Sequence, residues 1–441
     1  MGNKLKVLFI NPASINRDAL PIPPLGILYL AAYIREKGYN EIKVIDNNVY
    51  NYPLTRLEDE IKQFDIIAVT GTTSQYKQAR DISWLAKKNN KISVMGGPHA
   101  TPLPEETLQT SYFDFIALGE GEITFCELLQ AIENNIDYGK VNGIMFKSNR
   151  TLIKTEDRKF IKNLDELPFP ARDLIPLHKY GTRELRTFEG RYTHIMSSRG
   201  CANKCIFCSS PMMWRYCRMI SARRVFEEMM TVYENYGIKN IHFQDDNFTL
   251  IKNRILELCA LILKSKIPFR WSCQTRPDKV DTDLLRKMKG AGCVQIEFGV
   301  ESGDPRILEN SKKGYKKEQI KKAFHLAKKV GIATYGFFLI GLPGESILSW
   351  IRSMWFAKQL RLDNGVWTVV VPFPGTEIYS KNLVKILNSD YTYWLYKQPI
   401  IKSGHFGPTA LRTMRWISDK YVNGFFNTGT YKQSIGKRLK R

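Results

Sequence analysis

Cys201, Cys205 and Cys208 fall in a C-x3-C-x2-C spacing within the run Arg199-Gly200-Cys201-Ala202-Asn203-Lys204-Cys205-Ile206-Phe207-Cys208. Three thiols inside eight residues can wrap one small metal centre, and Arg199 and Lys204 add positive charge that favours the metal-binding thiolate. No fourth ligand stands nearby at a usual zinc-knuckle offset: Cys217 and His194 are the best local candidates and neither fits. A structural zinc site is closed by four ligands. A 4Fe-4S cluster held by three Cys instead keeps one iron free for a substrate or cofactor. A structural zinc or a plain electron-transfer centre is the alternative reading.

The elements that must position this loop alternate strand with helix. Strands are expected at 6–11, 42–46, 66–70, 92–96 and 115–118, with helices at 25–37, 54–63, 75–89 and 124–134. That alternation predicts an α/β, flavodoxin-like (Rossmann-like) open parallel sheet. Its strands end in small or polar loops that include Asn11-Pro12-Ala13-Ser14, Thr70-Gly71-Thr72-Thr73, Gly96-Gly97-Pro98-His99 and Gly119-Glu120-Gly121-Glu122. Ligands of such sheets bind beyond the carboxyl ends of the strands, where Gly lets a backbone approach. A hairpin is expected at 141–151 and a Pro-rich linker at 164–176. Alternation resumes with strands at 192–197, 240–245, 269–274, 294–300, 334–340 and 366–371, a partial (β/α)6 TIM-like barrel. The Cys loop follows the first of these strands and so faces the active end. The expected division is 1–150, a linker at 151–190, a barrel at 191–380, and an irregular, basic and aromatic segment at 381–441.

Lys and Arg number 66 against 43 Asp and Glu in 441 residues, a net charge of +23. Apolar content is that of a globular chain, which excludes disorder as the main state. No apolar run approaches the roughly 18–20 residues that span a bilayer, and no signal-peptide pattern opens the sequence, so a cytoplasmic location is expected. From Tyr391 onward ten Lys or Arg face one acid, interleaved with Tyr393, Trp394, Tyr396, Trp416, Phe425, Phe426 and Tyr431. That composition suits an acidic or lipid-like substrate or a peripheral membrane contact; a solvated basic face is the plainer reading. Lys-rich helices such as 312–322 spread the charge and argue against a nucleic-acid groove.

At the Cys loop the sequence resembles the radical S-adenosylmethionine (SAM) superfamily, whose C-x3-C-x-aromatic-C signature places Phe207 at the aromatic position. The resemblance implies a 4Fe-4S cluster on Cys201, Cys205 and Cys208 whose free iron binds the methionine part of SAM. It further implies reductive cleavage of SAM to a 5'-deoxyadenosyl radical, fed by a reductant such as flavodoxin or ferredoxin. Later segments match the same pattern at successive strand ends. Asp245 or Asp246 would pair with the methionine amine, Arg276 would hold a carboxylate or a substrate group, and Glu301 would accept from the ribose hydroxyls. Gly341 would let the backbone lie along the adenine. Pro372 to Thr376 also matches, without an assigned contact. An N-cap acid, a surface Arg and a plain turn are the structural readings of Asp245, Arg276 and Gly341.

The N-terminal half resembles the cobalamin-binding domains fused to such barrels, in Pro23 to Ala32, Gly96 to His99 and Leu118 to Glu122. Cobalamin contacts are expected at Thr70, Gly71, Thr72, Gly96, Gly97, Gly119 and Gly121. The D-x-H-x-x-G motif is absent, since the first loop reads Pro12-Ala13-Ser14-Ile15-Asn16-Arg17-Asp18; cobalamin would therefore bind without a His ligand from the protein. The implied activity is cobalamin-dependent methylation of an unactivated carbon, with radical SAM cyclisation or oxidoreduction as the alternative. A small-molecule or lipid-like substrate is expected, and no catalytic acid or base is assigned.

Overall fold

The computed structural model describes residues 4–14, 21–181, 187–188 and 190–424. Phe425, Phe426 and Tyr431, and Ile15 to Asp18 of the first loop, lie outside the described residues.

The N-terminal sheet carries β1 (Val7–Asn11), β2 (Ile42–Asp46), β3 (Ile66–Val69), β4 (Ile92–Met95) and β5 (Phe115–Ala117), in the order β2-β1-β3-β4-β5 and all parallel. Val7 to Ile10 are wholly buried, as strands covered on both faces must be. The covering helices are α1 (Leu25–Glu36), α2 (Leu54–Ile61), α3 (Tyr76–Lys88), α4 (Pro104–Thr110) and α5 (Glu122–Glu133). The expected hairpin forms as β6 (Ile144–Ser148) and β7 (Thr151–Lys154) and adds antiparallel to β5. Asn149 and Arg150 between them both take positive φ, 47° and 69°, the backbone of the tight turn that matches strand twist.

The second sheet has six parallel strands, β8 (Tyr192–Ile195), β9 (Asn240–Phe243), β10 (Arg270–Thr275), β11 (Cys293–Glu301), β12 (Ala333–Ile340) and β13 (Asn364–Val369), paired in sequence order. Outside it lie α6 (Ala222–Tyr236), α7 (Lys252–Ser265), α8 (Thr282–Gly290), α9 (Lys317–Lys329) and α10 (Ile347–Leu360). Local chemistry sets their ends. Ser221 accepts from the Arg224 N–H at 3.1 Å and Gly237 closes α6 at φ 65°, while Asp281 caps α8 through the Leu284 N–H at 2.9 Å.

The Pro-rich connection is not loose. Leu164, Leu167, Ala171, Ile175, Leu177 and Tyr180 are buried in the same apolar cluster as α1 and α6. The Tyr180 hydroxyl donates to Asp46 at 2.7 Å, and Arg172 donates to Glu228 and to the His194 carbonyl at 2.7 and 2.8 Å.

The segment after residue 380 corrects the expectation of irregular structure. Pro408–Asn423 forms a 16-residue helix, α11, with Pro408 at its first turn and Leu411, Met414 and Ser418 turned inward at helical spacing. Asn423 closes it on the edge strand, donating to the Gly365 carbonyl at 2.7 Å and accepting from the Gly365 N–H at 2.8 Å. Among the described residues no helix is long and apolar enough to cross a membrane. Leu411 is wholly buried, and Leu411→Ala is expected to lower the unfolding free energy by about 2–5 kcal/mol, measurable by urea denaturation followed by circular dichroism.

Candidate functional site

The Cys loop leaves β8 through a two-residue antiparallel ladder, Ser198 and Arg199 against Met219 and Arg218, which closes residues 200–217 into a tight loop. Gly200 has φ 89°, and a Cβ there would lie 2.5 Å from the Tyr216 carbonyl oxygen and 2.7 Å from the Trp214 Cβ, so only Gly fits. The Ile206 backbone is tied on both sides, its N–H to Ser311 and its carbonyl to Ile378. All eight Cys are free thiols. Cys205 is buried and Cys201 and Cys208 are half-buried. The Cys201 sulfur accepts from Asn203 and the Cys208 sulfur from the Ser210 N–H, at 3.2 and 3.4 Å.

Electrostatics at this loop differ from the sequence expectation. Arg199 is not turned to the thiols, and Lys204 is exposed. Burial pushes the Cys208 thiol up to about 12 and raises Cys205 as well, against the pull of Lys313. Among the described residues no three Cys, His, Asp or Glu side chains are gathered as they would be around one ion. Three free thiols on one constrained loop, without a fourth protein ligand, suit a cluster that keeps an open iron better than a closed zinc site. Cys217 donates to the Gly200 carbonyl at 3.0 Å, and His194 is buried against His242.

The strand-end residues divide into those that face the mouth and those that build it. Asp245 is 1% exposed, and its oxygens accept from the Ser197 N–H, the Ser197 hydroxyl and the Ser198 hydroxyl at 2.6–2.7 Å, so it is engaged in holding the start of the Cys loop. Its neighbour Asp246 stays open to solvent and accepts only from Ser210, at 2.6 Å. Gly341 is buried beside Leu411 at φ 85°, with its N–H donated to Glu345 at 2.6 Å, and so shapes the turn at the end of β12. Arg276 is buried in a bidentate pair with Asp278 and donates to the Lys313 carbonyl at 2.8 Å. Its remaining Nη1 has no partner among the described residues. Glu301 ends β11 at φ 63°, a left-handed conformation rare for a side chain of its kind, and pairs with Lys313 at 2.8 Å. The Phe207 ring lies 5.6 Å from the same ammonium.

Lys313 and Tyr315 were missed in the sequence because the Lys-rich run from 312 read as helix. The helix starts only at Lys317, and Gly314, at φ 73°, is the breaker that marks the preceding loop. Burial opposes charge on Lys313, but Glu301 holds its pKa above the ordinary value. Tyr315 donates to the Gly299 carbonyl and carries Arg276 over its ring at 4.7 Å. Two further groups were given no place in the site from the sequence, Tyr396 having stood only among the aromatic residues of the C-terminal segment. Glu297 is buried on β11, where it accepts from Gln295 at 2.7 Å; burial raises its carboxyl to about 7. Tyr396 stands in the cleft, still 55% exposed, and desolvation raises its pKa with added repulsion from Cys208 and Glu301.

In the N-terminal sheet, Thr70, Gly71, Thr72, Gly96, Gly97 and Gly119 line the carboxyl ends of the strands as expected. Gly97 has φ 91°, and a Cβ there would lie 2.6 Å from the Thr70 hydroxyl, so these two loops make a cradle that a larger residue would fill. Gly121 instead lies against Leu30 of α1. His99 is wholly buried, 4.0 Å from the Tyr76 ring and 5.0 Å from Tyr391. Burial lowers it to about 4, so this ring is neutral and enclosed. The loop between Gly119 and Glu122 does something the sequence did not show. Arg199 donates to Glu120 and Glu122 at 2.7 and 2.6 Å, and Arg218 donates to Glu120 at 2.7 Å. All four side chains are at most 6% exposed, so the loop from Gly119 to Glu122 and the Cys loop are locked together.

The family model of the radical SAM superfamily matches residues 195–354, and that of the B12 binding domain matches residues 15–129. The chain is 34% identical over 409 residues to an uncharacterized methyltransferase of Pyrococcus horikoshii, covering 91% of this chain and 87% of that protein. The chain belongs to the cobalamin-dependent radical SAM family. Another relative in this family is a cytidylyl-2-hydroxyethylphosphonate methyltransferase of Streptomyces wedmorensis, 28% identical over 85% of this chain and 80% of that one. An anaerobic magnesium-protoporphyrin IX monomethyl ester cyclase of Rubrivivax gelatinosus is 25% identical over 90% and 74%. Among solved structures the fold matches the radical SAM methyltransferase TsrM of Kitasatospora setae, with a TM-score of 0.71, 19% identity and coverage of 85% and 74%. It also matches the cobalamin-dependent radical SAM enzyme OxsB with a TM-score of 0.77, 18% identity and coverage of 99% and 71%.

Two expectations follow from this radical SAM site. Arg199→Leu would leave Glu120 and Glu122 short of a partner in a buried setting, and unfolding should become easier by about 3–5 kcal/mol, with Arg199→Lys intermediate. Glu297 keeps its proton in the folded chain up to about pH 7, whereas the unfolded chain ionises it from about 4.5. The native state then binds more protons, so stability should fall as pH rises through that window, by at most about 3 kcal/mol. Glu297→Gln should flatten that part of a stability profile taken between pH 4 and 8.

Proposed function

We propose that this chain methylates an unactivated carbon of a small-molecule substrate, with SAM, a 4Fe-4S cluster and cobalamin as its cofactors. One observation carries the reading: the buried pairs from Arg199 and Arg218 to Glu120 and Glu122 hold the Cys loop against a strand-end loop of the N-terminal sheet, so that two cofactor sites open on one mouth. In this reading residues 1–150 hold cobalamin, 151–190 join, 191–380 hold the cluster and SAM, and 381–424, the described part of the basic aromatic segment, close the mouth. When bound there, the cluster and SAM supply the hydrogen-abstracting radical and cobalamin supplies the methyl group.

The protein's own residues hold and orient. Cys201, Cys205 and Cys208 would ligate the cluster, and Phe207 lies beside Lys313 on the same loop side. Asp246 takes the methionine amine in place of Asp245, and the free Nη1 of Arg276 takes a carboxylate. Glu301 and Lys313 would share the ribose end, where their 2.8 Å pair keeps the carboxylate aimed. Thr70, Gly71, Thr72, Gly96, Gly97 and Gly119 admit the corrin edge, and the enclosed, neutral His99 gives it no ligand. Along β12 and β13, Tyr335, Phe337 and Val366 alternate with the core-facing Phe338 and Trp367, which gives their face of the sheet an apolar wall. That wall suits a lipid-like substrate, and holding it close to both cofactors is how methylation outcompetes quenching. A flavodoxin or ferredoxin is the reductant of this scheme.

The cyclase relative favours a second reading, ring closure without methyl transfer. Anaerobic turnover with methyl-labelled SAM separates the two, since label in the product is expected for methylation and label confined to SAM and its fragments would support cyclisation. Cys205→Ala should abolish iron loading and SAM cleavage together, by at least about a hundredfold in rate, and retained cleavage would remove the cluster assignment.

A further inference from the structure

We infer that the outward face of α10 docks the protein on an anionic lipid surface. A helix packed on a barrel buries one stripe and turns charge to the solvent, but α10 departs from this. Ser349, Ser353, Met354, Phe356, Ala357 and Leu360 face inward. The outward stripe is also apolar: Ile347 is 59% exposed, Leu348 66%, Ile351 36% and Trp355 64%. Residues at these spacings share one side of the helix, so the chain holds four large apolar side chains in water on a single face. Such a contiguous patch marks a surface that something covers.

The charges around the stripe select the occupant. No acid lies between Ser346 and Arg361, while Arg352, Lys358 and Arg361 do. Arg352 reaches back to Asp304 at 2.8 Å and remains mostly exposed. Helix α11 runs beside α10, joined by the Trp350 N–H to Ser418 at 2.8 Å, and brings Tyr421 under the Lys358 ammonium at 5.1 Å. Apolar side chains including Trp, rimmed by Lys and Arg, are the composition of a face that sinks into the headgroup layer of anionic lipid. A second copy fits poorly, because two-fold pairing on this face would set the same cations against each other.

Position adds a consequence. Ile347 and Leu348 begin α10 directly after the Gly341-to-Glu345 turn at the carboxyl end of β12, the end at which Glu301 closes β11. Docking by this face therefore sets the rim of the barrel mouth at the lipid surface. Only that last consequence, access of a lipid-like substrate, rests on the methyl-transfer reading; docking itself needs no turnover.

The test is co-sedimentation of the full-length protein with vesicles of phosphatidylcholine alone and of phosphatidylcholine mixed with phosphatidylglycerol. Binding is expected to the anionic vesicles, weakened by salt, and reduced roughly tenfold or more in Leu348→Glu/Trp355→Glu. Trp84→Glu, at an exposed Trp of the N-terminal domain, should bind as the wild type does, and circular dichroism should show all three proteins equally folded. SAM cleavage in vesicle-free solution, measured on the same preparations, reports on the cofactor reading separately. No binding to either vesicle, equal binding by the double variant, or a concentration-dependent dimer that the double variant dissolves would each overturn the docking face.

Discussion

Two carboxylates and two guanidiniums buried between the halves of the chain constrain everything else. Glu120 and Glu122 meet Arg199 and Arg218 with at most 6% of any of these side chains exposed. Removing such charges from water costs several kcal/mol per ion, and only close, saturated geometry offsets it. Glu120 also accepts from the Ile161 N–H, and Arg218 also donates to the Ile161 carbonyl, while Nε and Nη2 of Arg218 have no partner among the described residues. Burial opposes the charge on Glu120, yet Arg218 and Arg199 more than offset it and hold its carboxyl below the usual range. Any sliding of one half over the other would strand these charges. The Cys loop, which begins two residues after Arg199, is therefore placed by the N-terminal half as firmly as by its own strand.

The same economy of charge appears at the far side of the mouth. Glu301 adopts a backbone conformation that costs of order 1–3 kcal/mol, at an irregularity in the β11–β12 register. Lys313, Tyr315 and Arg276 surround it and fix one another through the Gly299 and Lys313 carbonyls. A carboxylate held this way is aimed before any ligand arrives, and preorganised groups lose little on binding. Asp245 shows the opposite use of a strand-end acid: every oxygen serves the Ser197-Ser198 turn, and Arg254 stands 3.8 Å away. Adjacent residues thus divide the work, one acid building the scaffold and Asp246 facing the cleft.

What sequence reasoning could reach follows from which signals are local. Both parallel sheets were legible because their strands are short apolar runs bounded by Gly and polar loops, and the Cys spacing declared itself without structure. The choice between Asp245 and Asp246 was not legible, since strand phase at the last residue decides it. Lys313 was hidden because a Lys run looks solvated until Gly314 is given weight. Helix α11 carried its inward spacing at Leu411, Met414 and Ser418, but basic and aromatic neighbours masked it. The pairs from Arg199 and Arg218 to Glu120 and Glu122 join positions some 80 to 100 apart in the chain, and no single sequence displays such a contact.

A six-stranded parallel sheet that curls without closing has an open side, and its contents are exposed unless other parts of the chain supply the wall. Three contacts show how that is done. Gly375, after β13, lies where a Cβ would come within 2.9 Å of Met212 in the Cys-loop region and 3.2 Å of Pro102 in the N-terminal half. Tyr391 reaches the His99 ring and donates to Glu106 at 3.2 Å, tying the C-terminal segment to the other half of the chain. Tyr396, five residues on, projects into the cleft near Cys208 and Glu301. The wall is thus built from segments far apart in sequence, Gly375 held by close packing and Tyr391 by its contact with the buried His99 ring. A mouth enclosed in this way can exclude water from a reactive centre while its rim, set by loops and not by the sheet, remains the part that can adapt to a substrate.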